Sequence, residues 1–148
     1  MTNKTNNINQ INQTNQINHT NHINHTNHIN HINKTAIITG ASRGIGAAIA
    51  KKLASCGYNL SLCCRNSSDR LKALADELHC AYGIEVLCYT GNVGDFFFAK
   101  DMVANTISHF GHIDVLINNA GISHIGLLSD MTPEEWNNIV AINLTGVF

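Results

Sequence analysis

The sequence predicts an α/β fold, a doubly wound parallel sheet of about four strands behind a low-complexity N-terminal tail. Three observations predict it. Strand-like and helix-like stretches alternate from Lys34 onward, and such alternation builds a parallel sheet with right-handed crossovers. A glycine-rich turn, Thr39-Gly40-Ala41-Ser42-Arg43-Gly44-Ile45-Gly46, joins the first strand to the first helix. Residues 1–33, in contrast, contain almost nothing that could build a core. The 148 residues therefore hold at most one domain, over 34–148.

The tail is a repeat. From Asn3 to Thr35 it divides into triplets that nearly all read Asn, a polar residue, then Ile or Thr, as in Asn9-Gln10-Ile11, Asn18-His19-Thr20 and Asn27-His28-Ile29. Nearly all the substitutions are single-base neighbours, so the tract reads as a translated DNA repeat of nine nucleotides. With one apolar residue per triplet at best, no aromatics and almost no charge, it cannot offset its ordering entropy, and disorder is expected. Two other readings stand beside this one. His19, His22, His25, His28 and His31 recur every three residues and offer weak nickel or copper binding. The Asn/Gln richness also suits a polar β-solenoid or aggregation. The Asn-x-Thr triplets are glycosylation sequons on paper only, because nothing directs the chain to a secretory compartment.

Composition excludes several classes. The formal charge of −1 leaves no nucleic-acid or membrane footprint. No apolar stretch approaches the ~20 residues of a membrane span, and the N-terminus lacks a signal-peptide core and arginine. A cytoplasmic protein is expected. The cysteines, Cys56, Cys63, Cys64, Cys80 and Cys88, are odd in number and form no Cys-x-x-Cys. They read as buried reduced thiols, with neighbours Cys63 and Cys64 on opposite faces of a strand. No metal site is expected.

The elements follow in order. Residues 35–39 read as the first strand. Residues 44–56 carry Ile45, Ile49 and Leu53 on one helical face and stop at Gly57. Residues 58–64 alternate Leu60 and Leu62 with smaller residues, as a strand does, and a polar helix follows over 68–82. Residues 85–89 form the third strand, and Asp95 caps a helix that runs to Phe110 and closes at Gly111. Residues 113–117 are a continuous apolar run, expected of a strand buried on both faces. Thr132-Pro133-Glu134-Glu135 forms a capping box with proline at the first helical position, opening a helix that still runs at Phe148. Phe96-Phe97-Phe98 and Trp136 read as core or helix-packing residues.

A glycine-rich turn between strand and helix makes a nucleotide cofactor the default ligand, because backbone amides and the helix N-terminus then face a phosphate. Two further motifs follow it: Asn118-Asn119-Ala120-Gly121 after the fourth strand, and Asn143 within Trp136-Asn137-Asn138-Ile139-Val140-Ala141-Ile142-Asn143. In order and spacing the three together resemble the short-chain dehydrogenase/reductase family over residues 34–148, with a Rossmann-like fold.

The resemblance implies roles. Gly40, Gly44, Ile45 and Gly46 lie against the cofactor pyrophosphate, and Ser42 caps the helix or contacts a phosphate or ribose oxygen. The second strand ends Cys63-Cys64-Arg65-Asn66, without the acid that would hold an adenosine ribose. Arg43 and Arg65 suit a 2′-phosphate instead, which in the family implies NADP(H). Asn92 stands where the family usually carries an aspartate at the adenine, followed by Val93. Asn119, Ala120 and Gly121 lie beside the cofactor, and Asn118 stabilises the sheet. Asn143 belongs to a catalytic group with a serine, a tyrosine and a lysine. The family's Tyr-x-x-x-Lys is not present, since Tyr58, Tyr82 and Tyr89 all precede the fourth strand and none has lysine four residues on. Neither Ser123 nor Ser129 matches the family's serine. His124 reads as an exposed loop histidine.

The expected activity is that of an NADPH-dependent carbonyl reductase, most like the 3-oxoacyl-acyl-carrier-protein reductases, acting on a small-molecule or acyl-carrier-bound carbonyl. The family forms homo-oligomers. For this chain, truncated within the domain, a residual nucleotide-binding module or a non-functional product are the competing expectations, with the fourth strand left as a sheet edge.

Overall fold

The computed structural model describes residues 34–148. The triplet tail, with the readings of disorder, histidine metal binding and solenoid stacking, lies outside the described residues. Four parallel strands form one sheet: β1 (Thr35–Ile38), β2 (Asn59–Cys64), β3 (Val86–Thr90) and β4 (Val115–Ile117). Their order is β3-β2-β1-β4, so the chain reverses its direction of travel beside β1. Register sets Ile38 opposite Leu62 on one side and Ile117 on the other.

Side-chain alternation divides the core into two layers. Ala36, Ile38, Leu60, Leu62 and Cys64 point to helices α1 (Gly44–Ser55) and α2 (Ser68–Tyr82), meeting Ala50, Ala54, Leu71, Leu74 and Leu78. Ile37 and Cys63 point the other way, to Met102 of α3 (Phe96–Phe110), Val93 and Ile142. Helices on both faces make the sheet doubly wound, and Cys63 and Cys64 do lie on opposite faces. A buried Ser61–Thr106 hydrogen bond of 2.8 Å ties β2 to α3. Gly57, Gly83 and Gly111 adopt positive φ just after α1, α2 and α3, where each helix ends.

Five expectations change. The fully buried residues of α1 are Gly46, Ala50 and Ala54; Ile49 and Leu53 pack partly buried against the same cluster, as expected, and of the expected apolar face only Ile45 turns outward. Ile45 is 74 % exposed, because it stands at the helix start and lines the cleft rather than the core. Only Phe98 of the phenylalanine trio packs inward; Phe96 and Phe97 are exposed, since consecutive helical residues diverge by about 100° and cannot share one face. The strand β4 has three residues and one described neighbour, and Leu116 is half-exposed rather than buried on both sides. Cys63 and Cys64 are buried, but Cys56 is only partly so, and Cys80 and Cys88 are exposed.

The last change concerns the last helix. Its capping box forms as expected, Thr132 Oγ1 accepting from Glu135 N–H and Glu135 from Thr132 N–H. However, α4 (Pro133–Val140) gives way to a π-helical turn over Ala141–Thr145, closed by a 2.8 Å bond from Gly146 N–H to Ala141 O. The wider turn carries Ile142 into the core while Asn143 reaches the loop after β4. No residue of α4 itself is buried, and Trp136 is 54 % exposed.

Candidate functional site

The four strands end along one side of the sheet, and the segments that follow them enclose a cleft of about 600 Å³. Such a crevice at strand carboxyl ends, where the strand order reverses, is the ligand position of open α/β sheets. Its walls are Gly40 and Ser42–Ile45 after β1, Cys63–Ser67 at β2, Gly91–Val93 after β3 and Asn119–Ile122 after β4, with Ile142 also in the lining. The structure thus brings together Gly40, Ser42, Arg43, Gly44, Ile45, Arg65, Asn92, Val93, Asn119, Ala120 and Gly121. Gly46 sits just beneath the cleft, and Asn143 stands outside its lining.

Glycine is required here for two reasons. At Gly40 (φ +66°) and Gly44 (φ +58°) the backbone is left-handed. At Gly46 a Cβ would lie 2.5 Å from Gly40 O, so any side chain would force α1 off the turn. A Cβ at Gly44 would meet nothing within 4 Å, so that glycine faces open space.

The helix ends around the cleft differ from those elsewhere. The helices α1 and α2 begin on its rim, at Arg43 and Ser67, and neither has a side-chain cap. Away from it, Asp95 caps α3 through Phe97 and Phe98 N–H, and Thr132 caps α4. The expected capping by Ser42 is absent, because Arg43 occupies the cap position in extended conformation (φ −163°). First-turn N–H groups that no helical carbonyl can reach therefore point where a ligand would sit.

Thr39 is the joint that holds the turn against β4, a role its place in the motif did not reveal. Its buried Oγ1 accepts from Asn119 N–H (3.0 Å) and Ala120 N–H (2.9 Å). The side-chain amide of Asn119 donates back to Thr39 O (2.9 Å) and Gly40 O (3.2 Å). The bracing expected of Asn118 is thus performed by Asn119, while exposed Asn118 reaches only Val147 O at 3.5 Å. Asn143 spends both polar atoms on Ile122: Oδ1 accepts its N–H at 2.9 Å and Nδ2 donates to its carbonyl at 2.8 Å.

The cleft is lined by two guanidinium groups and no carboxylate. Both Arg43 and Arg65 are exposed, and neither pairs with an acid among the described residues. Cys63 and Cys64, which were read only as core thiols, also line the cleft. Burial pushes the Cys63 thiol up to about 11, outweighing the Gly40 backbone bond that lowers it. Their place at the end of β2 was the signal that could have marked them. His124 is not freely exposed: its Nδ1 lies 3.8 Å from Glu135 Oε1. The Thr132 backbone bond lowers the Glu135 carboxyl from its ordinary value, against desolvation that raises it, with smaller help from the Thr132 side chain and His124.

This cleft, with its glycine turn and its Asn-Asn-Ala-Gly segment, defines a nucleotide-binding oxidoreductase fold. Residues 34–148 match the short chain dehydrogenase family across their whole length, and the chain belongs to that family. It is 43 % identical over 115 residues to a 3-oxoacyl-[acyl-carrier-protein] reductase of Staphylococcus epidermidis, covering 78 % of this chain and 47 % of that protein. Among solved structures, it resembles an alcohol dehydrogenase from Thermococcus sibiricus complexed with 5-hydroxy-NADP (39 % identity, TM-score 0.73, 77 % of this chain and 48 % of that one). A short chain dehydrogenase from Burkholderia cenocepacia in complex with NADP is similar too (33 % identity, TM-score 0.75, 78 % and 46 %). The chain spans about half the length of the curated relatives it matches.

Proposed function

We propose that residues 34–148 bind NADP(H) in this cleft, and that the activity they serve is reduction of a carbonyl, with a 3-oxoacyl thioester as the substrate class. The observation that carries the cofactor reading is the charge of the cleft: two free arginines, two uncapped helix N-termini and no carboxylate. The residues fit a dinucleotide. Open space at Gly44 admits a phosphate to the backbone. Arg65, just after β2, and Arg43, before α1, both line the cleft and offer planar guanidinium donors to a 2′-phosphate. Asn92 Oδ1 accepts from Gly94 N–H at 3.1 Å, which leaves its amide NH₂ to donate to an adenine nitrogen. Bound NADP and 5-hydroxy-NADP in the similar structures support the same reading, and the Staphylococcus relative supports the substrate class.

When bound, the cofactor supplies a hydride to the carbonyl carbon. This chain's own residues do the holding. Gly40, Gly44 and Gly46 shape the phosphate turn, Ser42 and Ile45 border it, and Thr39 with Asn119 fixes its distance from Ala120 and Gly121. Asn143 sets the backbone of Ile122 on the far wall, so in this structure it acts as a positioning residue. A tyrosine with lysine four residues later does not occur in these 148 residues, so residues 34–148 by themselves contribute the cofactor site and not the proton donor. Residues 34–148, a cytoplasmic location and family-type homo-oligomers belong to the same proposal.

The test is direct. Titrating the protein into NADPH should give saturable enhancement of nicotinamide fluorescence, with no fall in absorbance at 340 nm when an acetoacetyl thioester is added. Absence of any fluorescence or calorimetric binding signal would overturn the cofactor reading, and steady NADPH oxidation would overturn the binding-only reading.

A further inference from the structure

The two walls of the cleft meet behind it, at the π-helical turn. Helical turns of this width are rare and gather at functional sites, and here the geometry shows what the extra width accomplishes. Two glycines from different segments press on the turn. A Cβ at Gly94, in the loop after β3, would lie 2.8 Å from Ala141 O. A Cβ at Gly146, which closes the turn, would lie 2.7 Å from Ile142 O and 3.1 Å from Val93 Cγ2. Neither glycine has positive φ, so it is their size and not their backbone freedom that the structure uses. Ile142 packs in the cluster of Ile37, Cys63 and Val93. The next residue, Asn143, takes both backbone groups of Ile122.

We propose that the turn Ala141–Thr145 is a shared brace that sets the separation of the cleft's two walls, Asn92–Gly94 on one side and Ala120–Ile122 on the other. Gly94 and Gly146 are its positioning residues. A methyl group at either would displace the turn, and Asn143 would carry that displacement to Ile122, on a different segment. The consequence for cofactor affinity rests on the NADP(H) reading; the mechanical link does not.

Amide hydrogen exchange on the 148-residue protein reads the link without any ligand. Gly146→Ala is expected to speed exchange at Ile122 at least tenfold while Leu62 in the core stays protected, and Gly94→Ala, pushing from the other side, is expected to do the same. In an Asn143→Ala background, which already frees Ile122, adding Gly146→Ala is expected to change that rate less than twofold. NADPH affinity is expected to fall at least fivefold in either glycine variant, and affinity for adenosine 2′,5′-bisphosphate less. Unchanged exchange at Ile122 in both variants would overturn the brace, as would an effect that adds fully to that of Asn143→Ala. Loss of protection at Leu62 in both would overturn it too, because the glycines would then serve folding alone. If the parent protein binds no NADPH, the cofactor reading fails, and the exchange at Ile122 still decides the brace.

Discussion

The strands β1 and β4 lie side by side in one sheet and share a register of three residues, yet they live in different surroundings. Every residue of β1 is buried, with Ile37 and Ile38 at 1 % and 0 % exposure, whereas Leu116 of β4 is at 50 %. The difference extends outward. Helices α1 and α2 bury Ala50, Ala54, Leu71, Leu74 and Leu78 against β1 and β2. On the other side, α4 buries nothing, and the π turn buries Ile142 alone. The glycine-turn side of the cleft therefore rests on a complete core of its own. The opposite wall packs only partly buried residues, Ala120 and Ile122, against the second cluster and is tied in place by hydrogen bonds from Thr39, Asn119 and Asn143. Stability is spread unevenly in such a molecule, and the least buried elements open first.

The largest test of that contrast is a pair of truncations. Leu62→Ala should cost about 2–5 kcal/mol in urea unfolding, because it leaves a cavity in a closed core. Leu116→Ala should cost less than about 1 kcal/mol, and equal costs would break the comparison. Next comes Arg65→Ala. Loss of a charge-assisted bond worth about 1.5–3 kcal/mol should weaken NADPH roughly 10- to 100-fold. NADH affinity should hardly move, as competition calorimetry can show.

A pH effect sharpens the same boundary. The thiol of Cys63 is raised from 9.0 to about 11 by burial. Its contribution to stability is thus complete below pH 9, where both folded and unfolded thiols are neutral. It is lost as pH climbs from 9 to 11, because the unfolded thiol ionises first. Urea midpoints measured across that range should fall, and the fall should flatten in Cys63→Ala. The smallest effect belongs to the open side: Thr132→Ala should cost about 1 kcal/mol through the lost cap. It should appear as faster amide exchange in the first turn of α4 and leave Leu62 unaffected.

Much of this was legible in the chain. Turn glycines, caps and strand alternation are local signals, so α1 to α4, the Asp95 cap, the Thr132 capping box and the Cys63/Cys64 split all emerged from the sequence. The cleft residues emerged because motifs at strand ends mark where a parallel sheet binds. What stayed hidden depends on distance between segments. Of the apolar stripe Ile45, Ile49 and Leu53, the last two pack against the core, but Gly46, Ala50 and Ala54 are buried more deeply and Ile45 faces the cleft. A run such as Val115–Ile117 looks fully buried whether or not a strand flanks it on both sides. Nothing local to Asn143 announces that a π turn will aim it at Ile122, and nothing local to Thr39 shows its two acceptor bonds across 80 and 81 residues of sequence.

The central claim is that the well-buried half of this molecule builds an NADP(H) cleft whose charge selects the 2′-phosphate. Isothermal titration calorimetry of the 148-residue protein with NADPH and NADH tests it most directly. Saturable one-site binding of NADPH, at least tenfold tighter than NADH, is the predicted result. Equal affinity for the two, or no saturable heat with either, would contradict it.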